Sequence, residues 1–166
     1  MKNLFIIILT SLFLVNCNNS NPMMNQWSDK SSEFEGVPAF DKMSPELVKE
    51  AMLKGMEMSL EDIDKIANNL DVPTFENTIE EMERSGKLLN DVYPYYGILS
   101  SNMSSPEFRI IQRELAPKLS EYSSLISQNE KLFERVSAIY KASKINPLEN
   151  DQQRVLDLTY KSFAMN

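Results

Sequence analysis

The fold class predicted for this chain is all-α, a helical lobe of about five antiparallel helices, and three observations predict it. Only four glycines stand against 42% apolar residues, which leaves few sites for the tight turns of a β-rich chain. From Phe75 to Tyr96, the residues Phe75, Ile79, Met82, Gly86, Leu89, Tyr93 and Tyr96 recur at steps of four and three, the period that gathers side chains on one helical stripe. Ser44-Pro45-Glu46 and Ser105-Pro106-Glu107 each supply a capping hydroxyl, a proline for the first helical position and an acid for the first turn.

A length of 166 residues suits one domain with a real core. The formal charge of -7 and pI near 4.7 argue against a nucleic-acid partner, whose phosphates repel an acidic surface. The charges are scattered, as on solvated helix faces.

At the N-terminus, Lys2 precedes an apolar run from Leu4 to Val15. The run is shorter than the ~20 residues a spanning helix needs, so residues 1–16 read as a signal peptide. Leu14-Val15-Asn16-Cys17 resembles a bacterial lipobox, with Asn16 where a small residue is usual. That resemblance implies a diacylated Cys17 as the mature N-terminus, in a lipoprotein anchored to a membrane on the periplasmic or outer-membrane side of a bacterial envelope. The other reading of Cys17 is an ordinary buried thiol. A single cysteine excludes an intrachain disulfide. Residues 17–32 are polar and aperiodic, the composition of a flexible tether, with Trp27 expected to dock on the body that follows.

The folded lobe is expected over residues 33–166. Gly36 and Pro38 suit an extended start, with Phe40 buried. The first helix, near 45–69, carries Val48, Met52, Met56, Leu60, Ile63, Ala67 and Leu70 at helical spacing. Gly55 inside it costs about 1 kcal/mol relative to alanine, which points to a close helix approach. Met43, Met52, Met56 and Met58 suit core packing; an adaptable binding face or a thioether metal site is the alternative. The second helix, near 74–93, starts at Thr74 and is expected to break or kink at Pro94, followed by a Ser- and Asn-rich loop, GILSSNMSS. The third, near 106–127, points Phe108, Ile111, Leu115, Leu119, Tyr122 and Ile126 inward, with a kink at Pro117. The fourth, near 130–143, is capped by Asn129 and buries Leu132, Phe133, Val136, Ile139 and Tyr140. The last, near 149–165, carries Gln152, Val155, Leu156, Thr159 and Phe163.

Several of these segments carry a resemblance. Pro73-Thr74-Phe75-Glu76-Asn77 with its continuation to Gly86, a tryptophan ahead of a Val-Pro-x-Phe-Asp turn, ELAPKLSEY, and Asn129 followed by Leu132-Phe133 and Arg135-Val136 are similar to the N-terminal part of the zinc metallopeptidases of the thimet oligopeptidase, oligopeptidase A and peptidyl-dipeptidase family. The resemblance covers Trp27 to Asn166. It implies an N-terminal helical lobe forming one wall of a channel through which short peptides reach the zinc. The family's zinc site is a His-Glu-x-x-His helix plus a downstream Glu, with two imidazole ligands and a glutamate general base.

This chain has no histidine, so no catalytic or metal-binding residue is assigned in it, and zinc belongs to the full-length family rather than to these residues. The acidic groups Glu61-Asp62-Asp64, Glu80-Glu81 and Glu83 read as solvated faces rather than ion ligands or acid/base pairs. Two functions follow. In the first, the chain is the N-terminal piece of a lipoprotein metallopeptidase, cut short before its catalytic domain and inactive alone; apolar residues of the last helix, among them Val155, Leu156 and Phe163, are then expected to be incompletely covered. In the second, it is a stand-alone helical lipoprotein that binds a peptide or protein partner without catalysis.

Overall fold

The structure, a computed structural model, describes residues 21–28 and 36–165. Residues 1–16, read as a signal peptide, Cys17 and Asn166 lie outside the described residues. The described part is all-α with no strand.

Helix α1 (Pro45–Ala67) is the spine. Ser44 caps it, its hydroxyl accepting the Leu47 amide at 3.3 Å. At 1.5 Å per residue it is about 35 Å long, and it buries Val48, Met52, Met56, Ile63 and Ala67. The helix ends at Ala67, so Leu70 stands fully exposed rather than extending the stripe. A Cβ on Gly55 would lie 3.0 Å from Leu89 Cα, which explains the glycine as the contact point of α1 with the next rod.

That rod is not one uniform helix. It opens with a π-helical turn, Phe75–Glu80, continues as α2 (Glu81–Ser85), breaks at Gly86 and resumes as α3 (Lys87–Ser101). Thr74 and Asn77 form a reciprocal cap, each side-chain oxygen accepting the other's amide. A π turn holds more residues than an α turn, and Gly86 sits at φ -94, ψ 11. The inward face is therefore reset: Leu88, Leu89, Val92, Tyr95 and Leu99 are buried in α3, while Tyr93 is 41% exposed. The single stripe holds as far as Gly86 and again at Leu89 and at the half-buried Tyr96, whose ring meets Phe108, but fails at Tyr93.

Pro94 does not end the helix. The chain stays helical to Ser101, because Tyr95 and Leu99 bury beyond the proline and offset its missing hydrogen bond. Ser100 and Ser101, expected in a loop, donate instead to the Gly97 carbonyl at 3.0 and 2.6 Å. Helix α4 (Pro106–Ser127) likewise runs through Pro117, starting at a Ser105 cap on the Phe108 amide. Asn129 caps α5 (Glu130–Ser143) through the Leu132 amide. Helix α6 (Asn150–Ala164) closes the lobe. Five rods result, as expected, with the second subdivided.

Two further expectations are corrected. Residues 21–26, read as tether, are docked: Met23 is fully buried and Asn21 Nδ2 donates to the Leu47 carbonyl at 2.7 Å, while Trp27 docks as expected, its Nε1 donating to the Asp91 carbonyl at 2.7 Å. Phe40, expected in the core, is 44% exposed in a short 3-10 turn, its ring edge against Tyr95. Ala39 takes the buried place, its amide donating to Tyr95 Oη at 2.7 Å.

The apolar residues form two cores. One gathers the docked strap, the first half of α1, α3 and α4 around Met52, Val92, Tyr95 and Phe108. The other gathers the end of α1, the π turn, α5 and α6 around Ile63, Ile79, Leu132, Val136 and Leu156.

Candidate functional site

The most organised polar site lies where α5 meets the loop between α1 and the π turn. Residues 132, 135, 136 and 139 share the inward face of α5, so the fold draws Arg135 into the second core along with Leu132, Val136 and Ile139. Arg135 is 6% exposed. Its Nη1 donates to the carbonyls of Asn69 (2.7 Å) and Asp71 (3.1 Å), its Nη2 to Asn77 Oδ1 (2.8 Å) and Thr78 Oγ1 (3.1 Å), and its Nε to Thr78 Oγ1 (3.2 Å). Five donors meet neutral acceptors, which a planar fork allows and an ammonium does not. Burial pushes the guanidinium below the usual arginine range, countered only in part by Asp71.

Above this bracket opens a cleft of about 460 Å³ lined by Asn69, Leu70, Asp71, Pro73, Lys131 and Arg135. Lys131 Nζ donates to Asn68 Oδ1 at 2.6 Å across its edge. Because Arg135 spends its donors on the loop, the bracket shapes the cleft floor and leaves it little anion-binding capacity. A second groove, about 400 Å³, runs between α1 and α2 and is lined by Lys65, Ile66, Glu76, Asn77, Glu81 and Arg84.

The acidic groups singled out from the sequence are not brought together as a site. Glu80 and Glu81 pair with Arg84 at 2.8 and 2.5 Å, Asp62 pairs with Lys65 at 2.7 Å, and Asp64 accepts from Asn68. Glu61 and Glu83 are exposed. No three His, Cys, Asp or Glu side chains converge among the described residues. Cys17 falls outside the described residues.

Perturbed groups tell of local packing rather than acid/base chemistry. Glu76 and Glu107 sit below the ordinary value of 4.5 because their carboxylates bond to their own backbone amides and to the capping Thr74 and Ser105. Burial raises the Tyr95 and Tyr93 phenols. Tyr95 is fully buried. Asp91 is buried too, and its Oδ2 has no hydrogen-bond partner among the described residues.

Sequence reasoning missed Arg135 and Asp91. The signal for Arg135 was present, since it lies three residues after Leu132 and four before Ile139 on the apolar face. No helix among the described residues is long and apolar enough to cross a membrane.

The family model describing the N-terminal domain of neurolysin and thimet oligopeptidase matches residues 38–166. Among curated proteins, the chain is similar to the dipeptidyl carboxypeptidase of Escherichia coli, at 27% identity over 129 residues, covering 78% of this chain and 19% of that protein. It is similar to oligopeptidase A of Escherichia coli at 25% identity, with the same coverage of 78% and 19%. The dipeptidyl carboxypeptidase of Salmonella typhimurium aligns over 147 residues at 24% identity, covering 89% of this chain and 21% of that protein. The chain thus spans about a fifth of the length of the curated relatives it matches.

Proposed function

The chain belongs to the family of the neurolysin and thimet oligopeptidase N-terminal domain, and we propose that it serves as the N-terminal lobe of a zinc-dependent oligopeptidase or peptidyl-dipeptidase acting on short peptides. The single observation that carries this is the match from residue 38 to 166, which spans every helix from α1 onward. In this reading the lobe forms part of the wall past which peptides reach the metal, and hydrolysis belongs to residues outside this sequence. The absence of histidine supports that division of labour.

The test is to incubate the purified chain with zinc and a fluorogenic oligopeptide, then to read the DNA beyond codon 166. Expected are no chelator-sensitive turnover by the chain and a His-Glu-x-x-His run encoded downstream. Chelator-sensitive turnover by the chain itself, with contamination excluded, overturns the reading.

One observation favours the second reading, a stand-alone lobe binding a peptide or protein without catalysis. Leu156 is fully buried and Phe163 is 8% exposed, so these two are covered within the lobe, while Val155 is half-buried and Leu158 exposed. A stop codon with no homologous sequence beyond it, together with full protection of α6 from hydrogen exchange, selects this alternative.

Anchoring through Cys17 is part of the same proposal, on the strength of the apolar run and the lipobox-like end. With Asn21 docked, three residues separate Cys17 from the folded body, a reach of about 14 Å. The lobe is therefore held close to the bilayer on a short leash. Cys17→Ser is expected to abolish lipid labelling and release the protein; continued lipid incorporation in that variant refutes the assignment.

A further inference from the structure

We infer that this lobe is two cooperative units strung on α1, and that the unit built from α5, α6, the π turn and the end of α1 opens while the strap, α3 and α4 stay folded. The first ground is the core itself. The buried residues separate into two clusters with none in common, and along α1 the first ends at Met56 and the second starts at Ile63. The one fully buried residue of α1 between them is polar. Ser59 is 1% exposed, and its hydroxyl lies 2.9 Å from Tyr122 Oη. A hydrogen bond of this kind is exchanged with water at small net cost, unlike an apolar contact.

The second ground is where the chain passes from one unit to the other. Apart from α1, it does so at Gly86, where a helix is interrupted, and at Gln128–Asn129, where α4 ends and α5 begins. Both are helix junctions whose dihedrals can change without breaking an intact turn. The polar ties also stay local. The strap is pinned by Asn21 to Leu47 and Trp27 to Asp91, within the first unit. All five Arg135 bonds reach Asn69, Asp71, Asn77 and Thr78, within the second.

The order of opening follows from packing. The first unit clamps Tyr95, Phe108, Met23 and Met52 with almost no exposure. The second buries Leu132, Val136 and Leu156 but closes α5 on α6 with three half-buried rings, Tyr140 on Tyr160 at 3.9 Å and Phe133 on the buried Phe163 at 5.8 Å. Helix α6 also starts at Glu149 without a side-chain cap, and Ile145 and Leu158 remain exposed. The smaller set of buried residues and the half-buried rings mark the segment that opens at lower free energy.

The sole tryptophan makes this testable in the full chain, since Trp27 reports on the first unit alone, whereas far-UV circular dichroism reports on both. In a urea titration, helix signal is expected to fall at lower urea than Trp27 fluorescence. Native-state hydrogen exchange is expected to be about tenfold or more faster in α5 and α6 than in α3 and α4. Coincident transitions with one common exchange rate, or loss of the Trp27 signal first, overturn the inference. In Arg135→Lys, exchange in the π turn, α5 and α6 should accelerate by about tenfold or more with α3 and α4 almost unchanged; equal acceleration everywhere overturns it. If that variant fails to fold, the unmodified chain decides the matter alone.

Discussion

Gly55 and Gly97 lie in helices of the same core, and replacing each by alanine should change stability in opposite directions. Either substitution gains about 1 kcal/mol of helix propensity. At Gly97 nothing lies within 4 Å of the new Cβ, so Gly97→Ala is expected to keep most of that gain, about 0.5–1 kcal/mol. At Gly55 the new Cβ meets Leu89 Cα at 3.0 Å, Leu89 N at 3.1 Å and Leu89 Cβ at 3.2 Å. Carbon pairs prefer about 3.5–4.0 Å, and backbone atoms have no rotamer to retreat into. Helices α1 and α3 must then part by about half an ångström, loosening the contacts of Met52, Met56 and Val92. Overpacking of this kind costs about 1–3 kcal/mol. It outweighs the propensity gain and leaves Gly55→Ala about 1–2 kcal/mol less stable. The assay is urea unfolding followed by Trp27 fluorescence, comparing midpoints at constant slope. In a chain of this size the thermal midpoint should fall by about 3–6 °C. A Gly55→Ala variant as stable as Gly97→Ala refutes the close approach.

Arg135→Lys keeps a charge but lacks the fork, and should destabilise the unit of the π turn, α5 and α6 by roughly 2–4 kcal/mol as the acceptors at Asn69, Asp71, Asn77 and Thr78 lose their donor, measured by the helix signal in urea unfolding. Ser105→Ala should cost about 1 kcal/mol by removing the α4 cap, whereas Ser105→Asp should restore most of it in the same assay. The depressed carboxyls of Glu76 and Glu107 set a pH trend. Their folded values lie below their unfolded ones, so their contribution is complete above the ordinary value of 4.5 and is lost as pH falls through the depressed values. Urea midpoints should therefore decline between about pH 5 and pH 3, with a shallower decline in the double variant Glu76→Gln/Glu107→Gln; an unchanged slope would remove these two groups from the account.

Ser44, Thr74, Ser105 and Asn129 each accept an amide three residues ahead, and each start was legible because donor and acceptor sit within one turn of chain. The same locality made the all-α class and the five rods readable, and composition alone showed that no histidine is present to hold zinc. What lay beyond reach was set by contacts across the chain. The inward face after Gly86 depends on how a π turn and a helix break rotate α3 against α1, so the period could not show that Tyr95 would be buried and Tyr93 exposed. Arg135 is buried by partners 57 to 66 residues away in sequence, and only the folded loop shows that its charge has acceptors. Asn21 docks because the surface beside Leu47 exists once α1 has packed, and while Trp27 was expected to dock, only the fold shows that its partner is the Asp91 carbonyl. Hydrogen bonds inside one turn are written in neighbouring residues, whereas burial is decided by which surfaces meet, and that is settled by tertiary structure.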